Sequence, residues 1–295
     1  MTMFEEHLEF GSNSVLLATD LSSTSETAMA YAVRFARRYN AKITALQVFD
    51  YTLAASPRTG GLPCGLAIMH SAAQEAMQDL QVSLCKENVR CEVMLIDGDP
   101  VSKILDTLVE RNIDLAVLGT GAKEGWDRLA WGSVAEQVLR KACCPVLTVG
   151  PNVPRPSQRE LPFRKLLYAT DFSAQSLKAA PNAVALANDF DACLHLLHVL
   201  PFSMKERSRH EAIIERLKEV VKNSEPVRSR IYGSFEYELG FGDRAAEAIL
   251  ERADVDRADL AILGVRRASR SSSHLPDITS HIIGEAKCPV LTISS

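Results

Sequence analysis

Short runs of consecutive apolar, often β-branched residues alternate along the whole chain with longer stretches whose apolar side chains recur every three or four positions. The first pattern predicts strands and the second predicts helices with one buried face. In the first half the strands fall near Val15–Thr19, Ala41–Phe49, Cys91–Ile96, Leu115–Gly119 and Val146–Val149. A helix follows the first strand. It opens on Ser23-x-x-Glu26, a pairing that can satisfy orphan donors at a helix start, and carries the stripe Ala28, Ala32, Phe35, Tyr39. Further helices are expected over Ala72–Lys86, Val101–Arg111 and Ser133–Ala142. The second half repeats this order, with Leu177, Ala180, Val184 and Ala187 as its first stripe and Pro181 placed to kink that helix. Strands that are apolar at nearly every position are covered by helices on both faces. The expected fold is therefore α/β, with two doubly wound, mostly parallel five-stranded sheets in tandem.

The repetition extends to individual residues. Ser14-Val-Leu-Leu-Ala-Thr-Asp20-Leu-Ser22 returns as Lys165-Leu-Leu-Tyr-Ala-Thr-Asp171-Phe-Ser173, and Gln47-Val48 returns as His198-Val199. Asp97-Gly98-Asp99 corresponds to Phe241-Gly242-Asp243, and Asp114-Leu-Ala-Val-Leu-Gly119 to Asp259-Leu-Ala-Ile-Leu-Gly264. Cys144-Pro-Val-Leu-Thr-Val149 closes the first half as Cys288-Pro-Val-Leu-Thr-Ile293 closes the second. The halves are divided as 1–150 and 164–295. Between them, residues 151–163 hold four prolines from Pro151 to Pro162, which suits an exposed, fairly stiff linker.

Composition narrows the classes of function. The net charge of −4 gives no reason to expect nucleic acid or an anionic membrane as partner. No apolar run reaches the length of a membrane span, and the first residues lack the basic and apolar regions of a signal peptide. The seven cysteines are an odd number without metal-type spacing, and Cys143 and Cys144 are read as buried thiols. His195 and His198 share a strand but point to opposite faces, so they make poor co-ligands. The expected location is cytoplasmic.

Open parallel sheets bind ligands beyond the carboxyl ends of their strands, where strand order reverses. Two segments put polar residues and glycines there: Thr19-Asp20 after the first strand and Gly119-Thr120-Gly121-Ala122 after the fourth. The second segment runs on to Gly132-Ser133-Val134, where a helix begins. Unpaired N–H groups and the helix dipole make that start a plausible phosphate cradle. A plainer reading stands beside it: Gly119 and Gly121 as turn residues, Ser133 as a helix cap, Asp20 as the cap of the first helix. Trp126 and Trp131, inside the glycine loop, read as an anchor for it or as part of a partner surface.

These blocks resemble the universal stress protein family over both halves. Nucleotide-binding members carry G-x2-G-x9-G-[ST] after the fourth strand, which Gly119-x2-Ala122-x9-Gly132-Ser133 matches in spacing and at three of four positions. Alanine replaces the second glycine. The resemblance implies an adenine nucleotide such as ATP, with Mg²⁺ as a candidate companion. It implies that Asp20 meets the adenine or ribose side, that Val48 borders the adenine, and that Gly98 is the glycine of the loop after strand three. It also implies a regulator of the stress response acting through a protein partner. The rival reading is an interaction protein with both loops vestigial, and slow ATP hydrolysis stays open although no catalytic residue stands out. Family members pair their last strands between domains, so the two halves are expected to dock as an internal pseudo-dimer, and a homodimer of two chains is compatible with this.

The second half keeps Asp171, Val199 and Gly264 but has Pro276-Asp277 where Gly132-Ser133 stand. A carboxylate in a phosphate's place repels it, and the proline removes a donor. Asp277 is expected to cap the following helix, and no ATP-type binding is expected in this half. Arg266-Arg267-Ala-Ser-Arg270 reads as a solvated loop.

Overall fold

Each half builds a five-stranded sheet in which every neighbouring pair is parallel. The computed structural model describes residues 13–51, 63–121, 133–156, 163–204, 209–224, 234–266 and 277–294. They fall into two compact units, one of them Ser12–Pro151 and the other containing Asn152–Ser295.

In the first unit the strands are β1 (Ser14–Ala18), β2 (Lys42–Phe49), β3 (Arg90–Asp97), β4 (Leu115–Gly119) and β5 (Val146–Val149). The helices are α1 (Ser23–Tyr39), α2 (Pro63–Lys86), α3 (Pro100–Glu110) and α4 (Ser133–Lys141). Strand order is β3-β2-β1-β4-β5, parallel throughout. The chain thus leaves β1 to one side for β2 and β3, then returns on the other side with β4. Val15, Leu16 and Leu17 in the central strand are fully buried, as expected for a strand covered on both faces.

The second unit repeats this with β6 (Lys165–Ala169), β7 (Cys193–Leu200), β8 (Ser234–Phe241), β9 (Leu260–Val265) and β10 (Val290–Ser294) in the order β8-β7-β6-β9-β10. Its helices are α5 (Ala174–Phe190), α6 (His210–Ser224), α7 (Ala245–Asp256) and α8 (Asp277–Glu285).

Several local expectations need correction. The N-cap of α1 is Ser22, not Ser23: the Ser22 hydroxyl accepts from the Ser25 N–H at 3.3 Å. Helix α2 begins at Pro63, nine residues before the expected Ala72. Pro lacks only an N–H that a first turn leaves unpaired anyway, so it opens a helix without cost there. α5 runs as one 17-residue helix with Pro181 inside it. Of the vicinal cysteines only Cys144 is buried, and Cys143 is exposed. Burial, with Cys143 beside it, pushes the Cys144 thiol up to about 12. In the linker Val153 is buried, although its neighbours are exposed.

The repeated Asp114 and Asp259 have a structural use. Asp114 Oδ2 accepts from the Asn13 and Ser14 N–H groups at 2.8 and 3.0 Å, tying the entry of β4 to that of β1. Asp259 Oδ2 does the same for Arg164 and Lys165 at 2.8 and 2.9 Å. The flanks of the two sheets differ in charge pattern. In the first, Glu92 on β3 is the centre and accepts from Lys42 Nζ at 2.6 Å, Thr44 Oγ1 at 3.1 Å and Arg111 Nη1 at 2.6 Å. Lys42, in spite of partial burial, holds its carboxyl below the usual range. In the second, a histidine is the centre: His195 Nδ1 lies 2.5 Å from Asp256 Oδ2, and Nε2 lies 3.0 Å from Glu238 Oε2. Arg252 bridges Glu238 and Asp256. His198 turns elsewhere and donates through Nδ1 to the Thr170 carbonyl at 2.7 Å.

Candidate functional site

Strand order reverses between β1 and β4, so the crevice to search lies beyond their carboxyl ends. Thr19 directly follows β1, and its N–H donates to the Leu46 carbonyl at 2.9 Å, which keeps it beside β2. Two residues further along β2, half-buried Val48 lies opposite Ile96 of β3. Gly98 follows β3, donates to the Phe49 carbonyl at 3.1 Å, and has φ 139°, a conformation open to glycine. Thr19, Asp20, Val48, Gly98, Gly119, Thr120 and Gly121 therefore share one edge of one sheet.

Asp20 is exposed and held by the start of α1. Its Oδ1 accepts from the Ser22 N–H at 3.0 Å and the Ser25 hydroxyl at 2.6 Å. Leu21 between them is left-handed, φ 61°, and its N–H donates to Thr19 Oγ1 at 3.0 Å. Burial alone would raise the Asp20 pKa, but the hydrogen bonds from Ser22 and Ser25 outweigh it and leave the carboxyl below its ordinary value. Oδ2 accepts no hydrogen bond among the described residues. The carboxylate is thus ionised and aimed, with one oxygen open.

A depressed native pKa stabilises the fold above the unfolded value, here 3.8, and that contribution disappears as pH falls through the lowered native value. We expect Asp20→Asn to cost about 1 kcal/mol at neutral pH, given the exposure of the site, and to cost progressively less below pH 3.8. Urea titrations at a series of pH values read this directly. A deficit that stays constant with pH would show that the charge is not what holds the turn.

Gly119 has a reason for being glycine that concerns packing. A Cβ there would come within 2.8 Å of the Ser25 N and the Thr24 carbonyl carbon, so the end of β4 and the first turn of α1 touch backbone to backbone. At Gly121 a Cβ would meet Thr24 Oγ1 at 2.9 Å. Thr120 is fully buried. Its N–H and hydroxyl both donate to the Val149 carbonyl, at 2.9 and 3.3 Å, so its side chain serves β5 rather than the crevice. Ser133 is exposed as the first residue of α4, with Val134 half-buried behind it. Ala122, Gly132, Trp126 and Trp131 lie outside the described residues.

Two contributors were missed in the sequence: Thr24, against which both glycines press, and Ser25, whose hydroxyl holds Asp20. The signal was present as Asp-x-Ser-x-x-Ser, which returns as Asp171-Phe-Ser173-Ala-Gln-Ser176.

Comparison with known proteins identifies the lineage of this arrangement. The model of the universal stress protein family matches residues 12–150 and again 162–294. The chain belongs to the universal stress protein family. It is a tandem member, since each matching stretch is one half. Universal stress protein MJ0531 of Methanocaldococcus jannaschii is 29% identical over 136 residues, which is 46% of this chain and 80% of that protein. Universal stress protein YxiE of Bacillus subtilis is 26% identical over 153 residues, 46% of this chain and 98% of that protein. Among solved structures, a universal stress protein from Archaeoglobus fulgidus DSM 4304 superposes over 98% of both chains with a TM-score of 0.74 at 21% identity, a likeness of fold.

In the second half of this tandem universal stress protein the turn after β6 reproduces the first. Asp171 Oδ1 accepts from the Ser173 N–H at 2.9 Å and from Ser176 Oγ at 2.7 Å, and Phe172 is left-handed with φ 58°. Burial raises the Asp171 pKa, and the Ser173 and Ser176 hydrogen bonds more than offset it. A Cβ on Gly264 would lie 2.4 Å from the Gln175 carbonyl oxygen. A cleft of about 350 Å³ opens here, lined by Asp171, Gln175, Leu197, Gly264, Arg266 and Thr279 among others. The described residues at this edge of the second sheet thus line a cleft of their own. Helix α8 begins at Asp277, and the expected cap there falls on a side chain outside what the structure describes. Arg266 is exposed, while Arg267 and Arg270 also fall outside.

Proposed function

We propose that the first half binds an adenine nucleotide of the ATP type, and that this protein is a cytoplasmic stress-response regulator whose nucleotide state sets which protein partner it engages. The observation that carries the reading is Asp20, tied through Oδ1 and open at Oδ2, on the sheet edge where strand order reverses. An ionised, pre-aimed carboxylate suits the hydroxyl donors of a ribose. The matched loop spacing from Gly119 to Gly132-Ser133 supports it, because the start of α4 offers N–H groups and a dipole to phosphates. Among the described residues no helix is long and apolar enough to cross a membrane.

The second half, with Pro276-Asp277 in place of Gly132-Ser133, leaves ATP unbound in this reading although its described residues line a cleft. Calorimetric titration of ATP into the full chain then gives one site per chain, and Gly132→Asp abolishes it. Two sites would overturn the assignment of the second half. No binding at millimolar ATP would overturn the nucleotide reading and leave an interaction protein with two vestigial loops.

A further inference from the structure

Cys85 and Cys91 are free thiols with their sulfurs 3.9 Å apart. Cys85 is exposed in the last turn of α2, and half-buried Cys91 is the second residue of β3. The turn between them is fixed by its own backbone. Glu87 N–H donates to the Leu84 carbonyl and Asn88 N–H to the Cys85 carbonyl, both at 3.1 Å, and Asn88 is left-handed with φ 55°. Arg37 of α1 clamps the turn from outside, donating to the Glu87 carbonyl and to Glu87 Oε2, each at 2.6 Å from Nη2. The sulfurs are therefore brought together by a turn that does not depend on a bond between them.

We propose that Cys85 and Cys91 form a reversible disulfide under native conditions, a redox site in the first half that is distinct from the nucleotide crevice. A disulfide needs sulfurs at about 2.05 Å, so closing the pair takes a side-chain movement of roughly 2 Å and no change of fold. With hydrogen peroxide as oxidant, the Cys85 thiol loses its proton and its sulfur attacks one peroxide oxygen. The O–O bond breaks, giving a sulfenic acid and one water. The Cys91 sulfur then attacks the sulfenic sulfur. The S–S bond forms as the S–O bond breaks, and the departing hydroxide takes the Cys91 proton to leave as a second water. Two thiols lose two electrons and two protons, and one peroxide is reduced to two waters.

The order of attack follows the environment. Cys85 faces solvent, whereas burial and the neighbouring Cys85 raise the Cys91 thiol above its ordinary pKa, which makes it the later partner. Cys144 and Cys288 are buried, with thiols pushed up to about 12 by that burial, so they compete poorly. The second half lacks the site: Phe235 pairs with Leu194 where Cys91 pairs with Ile43. The bridge would staple the end of α2 to the edge strand β3. At the other end of that strand, His70 Nε2 of α2 already lies 3.3 Å from Asp97 Oδ1.

The test uses the full reduced chain, treated with peroxide while folded, blocked with N-ethylmaleimide and cut with trypsin. Cleavage after Lys86 and after Arg90 separates the two cysteines, so a bridge leaves two peptides joined, and because Cys64 shares the peptide of Cys85 the treatment is made on a Cys64→Ser chain. The expected result is a linked Cys85–Cys91 pair that dithiothreitol releases, and in Cys91→Ser a Cys85 carried on to sulfinic acid instead. Circular dichroism unchanged by oxidation confirms that the bridge forms within the fold. Alkylation of both cysteines after treatment, sulfinic acid at Cys85 in the chain that keeps Cys91, or Cys85 joined to another cysteine would each overturn the proposal.

Discussion

Gly264→Ala is expected to destabilise the second half by about 3 kcal/mol, at the upper end of the cost of overpacking a close contact. The added methyl would sit 2.4 Å from the Gln175 carbonyl oxygen and 2.5 Å from the Ser176 Cα. Both are backbone atoms in the first turn of α5, so no side chain can swing aside. The helix must move from β9, or the strand must bend. For a unit of this size the melting temperature falls by roughly 6–12 °C. Gly284→Ala is the control in the same half. It lies in α8 with nothing within 4 Å of a new Cβ, and alanine in a helix is favoured over glycine by up to about 1 kcal/mol. Thermal melts of the two variants should therefore move in opposite directions. If Gly264→Ala melts like the parent chain, the backbone contact is looser than these distances state. The same variant bears on ligand reading, because a glycine kept for packing says nothing about phosphate.

The second large effect is expected from the histidine cluster. Asp256→Ala should cost about 2–3 kcal/mol, because it strips the hydrogen-bonded carboxylate from His195 Nδ1, leaving only Glu236 Oε2 at 4.0 Å, and removes one of the two carboxylates on Arg252. His195 is only 7% exposed, so water cannot replace what is lost. The counterpart in the first sheet is Glu92→Ala. There the bases are Lys42 and Arg111, with side chains 44% and 42% exposed, and the cost should stay within about 1 kcal/mol. Chemical denaturation of both variants, with a double-mutant cycle on His195 and Asp256, separates the pair from its surroundings. Equal costs in the two sheets would mean that burial of the histidine contributes nothing.

The sheets, their parallel character and the duplication were legible because they rest on long apolar runs and on five blocks repeated in order. The blocks recur where the fold requires particular atoms: Asp114 and Asp259 at strand entries, Gly119 and Gly264 against a helix start, Asp20 and Asp171 in the turn after the first strand. Repetition alone therefore reports scaffold as readily as ligand chemistry. The helix cap was misplaced by one because Ser22 and Ser23 are both good caps, and the left-handed Leu21 that selects Ser22 leaves no mark in composition. The start of α2 was missed because its first turns carry exposed Ile68 and Met69, while the buried Met77 and Leu84 come later, so no single stripe announces it. What separates the halves in the nucleotide reading is the exchange of Gly132-Ser133 for Pro276-Asp277, which the repeated blocks do not include.

The tie from Asp114 to the Asn13 and Ser14 N–H groups spans 101 and 100 residues. β1 is the central strand, flanked by β2 and β4, so its second edge and its entry are both completed by a segment made much later. At ribosomal rates of about 5–20 residues per second, β1 waits on the order of 5–20 s for β4 to be synthesised. During that interval one edge of a strand whose Val15, Leu16 and Leu17 are fully buried in the finished fold is open. The second half meets the same delay through Asp259, 95 and 94 residues after the N–H groups it secures. For a duplicated chain, the time of greatest exposure to mispairing between like strands is thus set by how late the fourth strand of each copy is made.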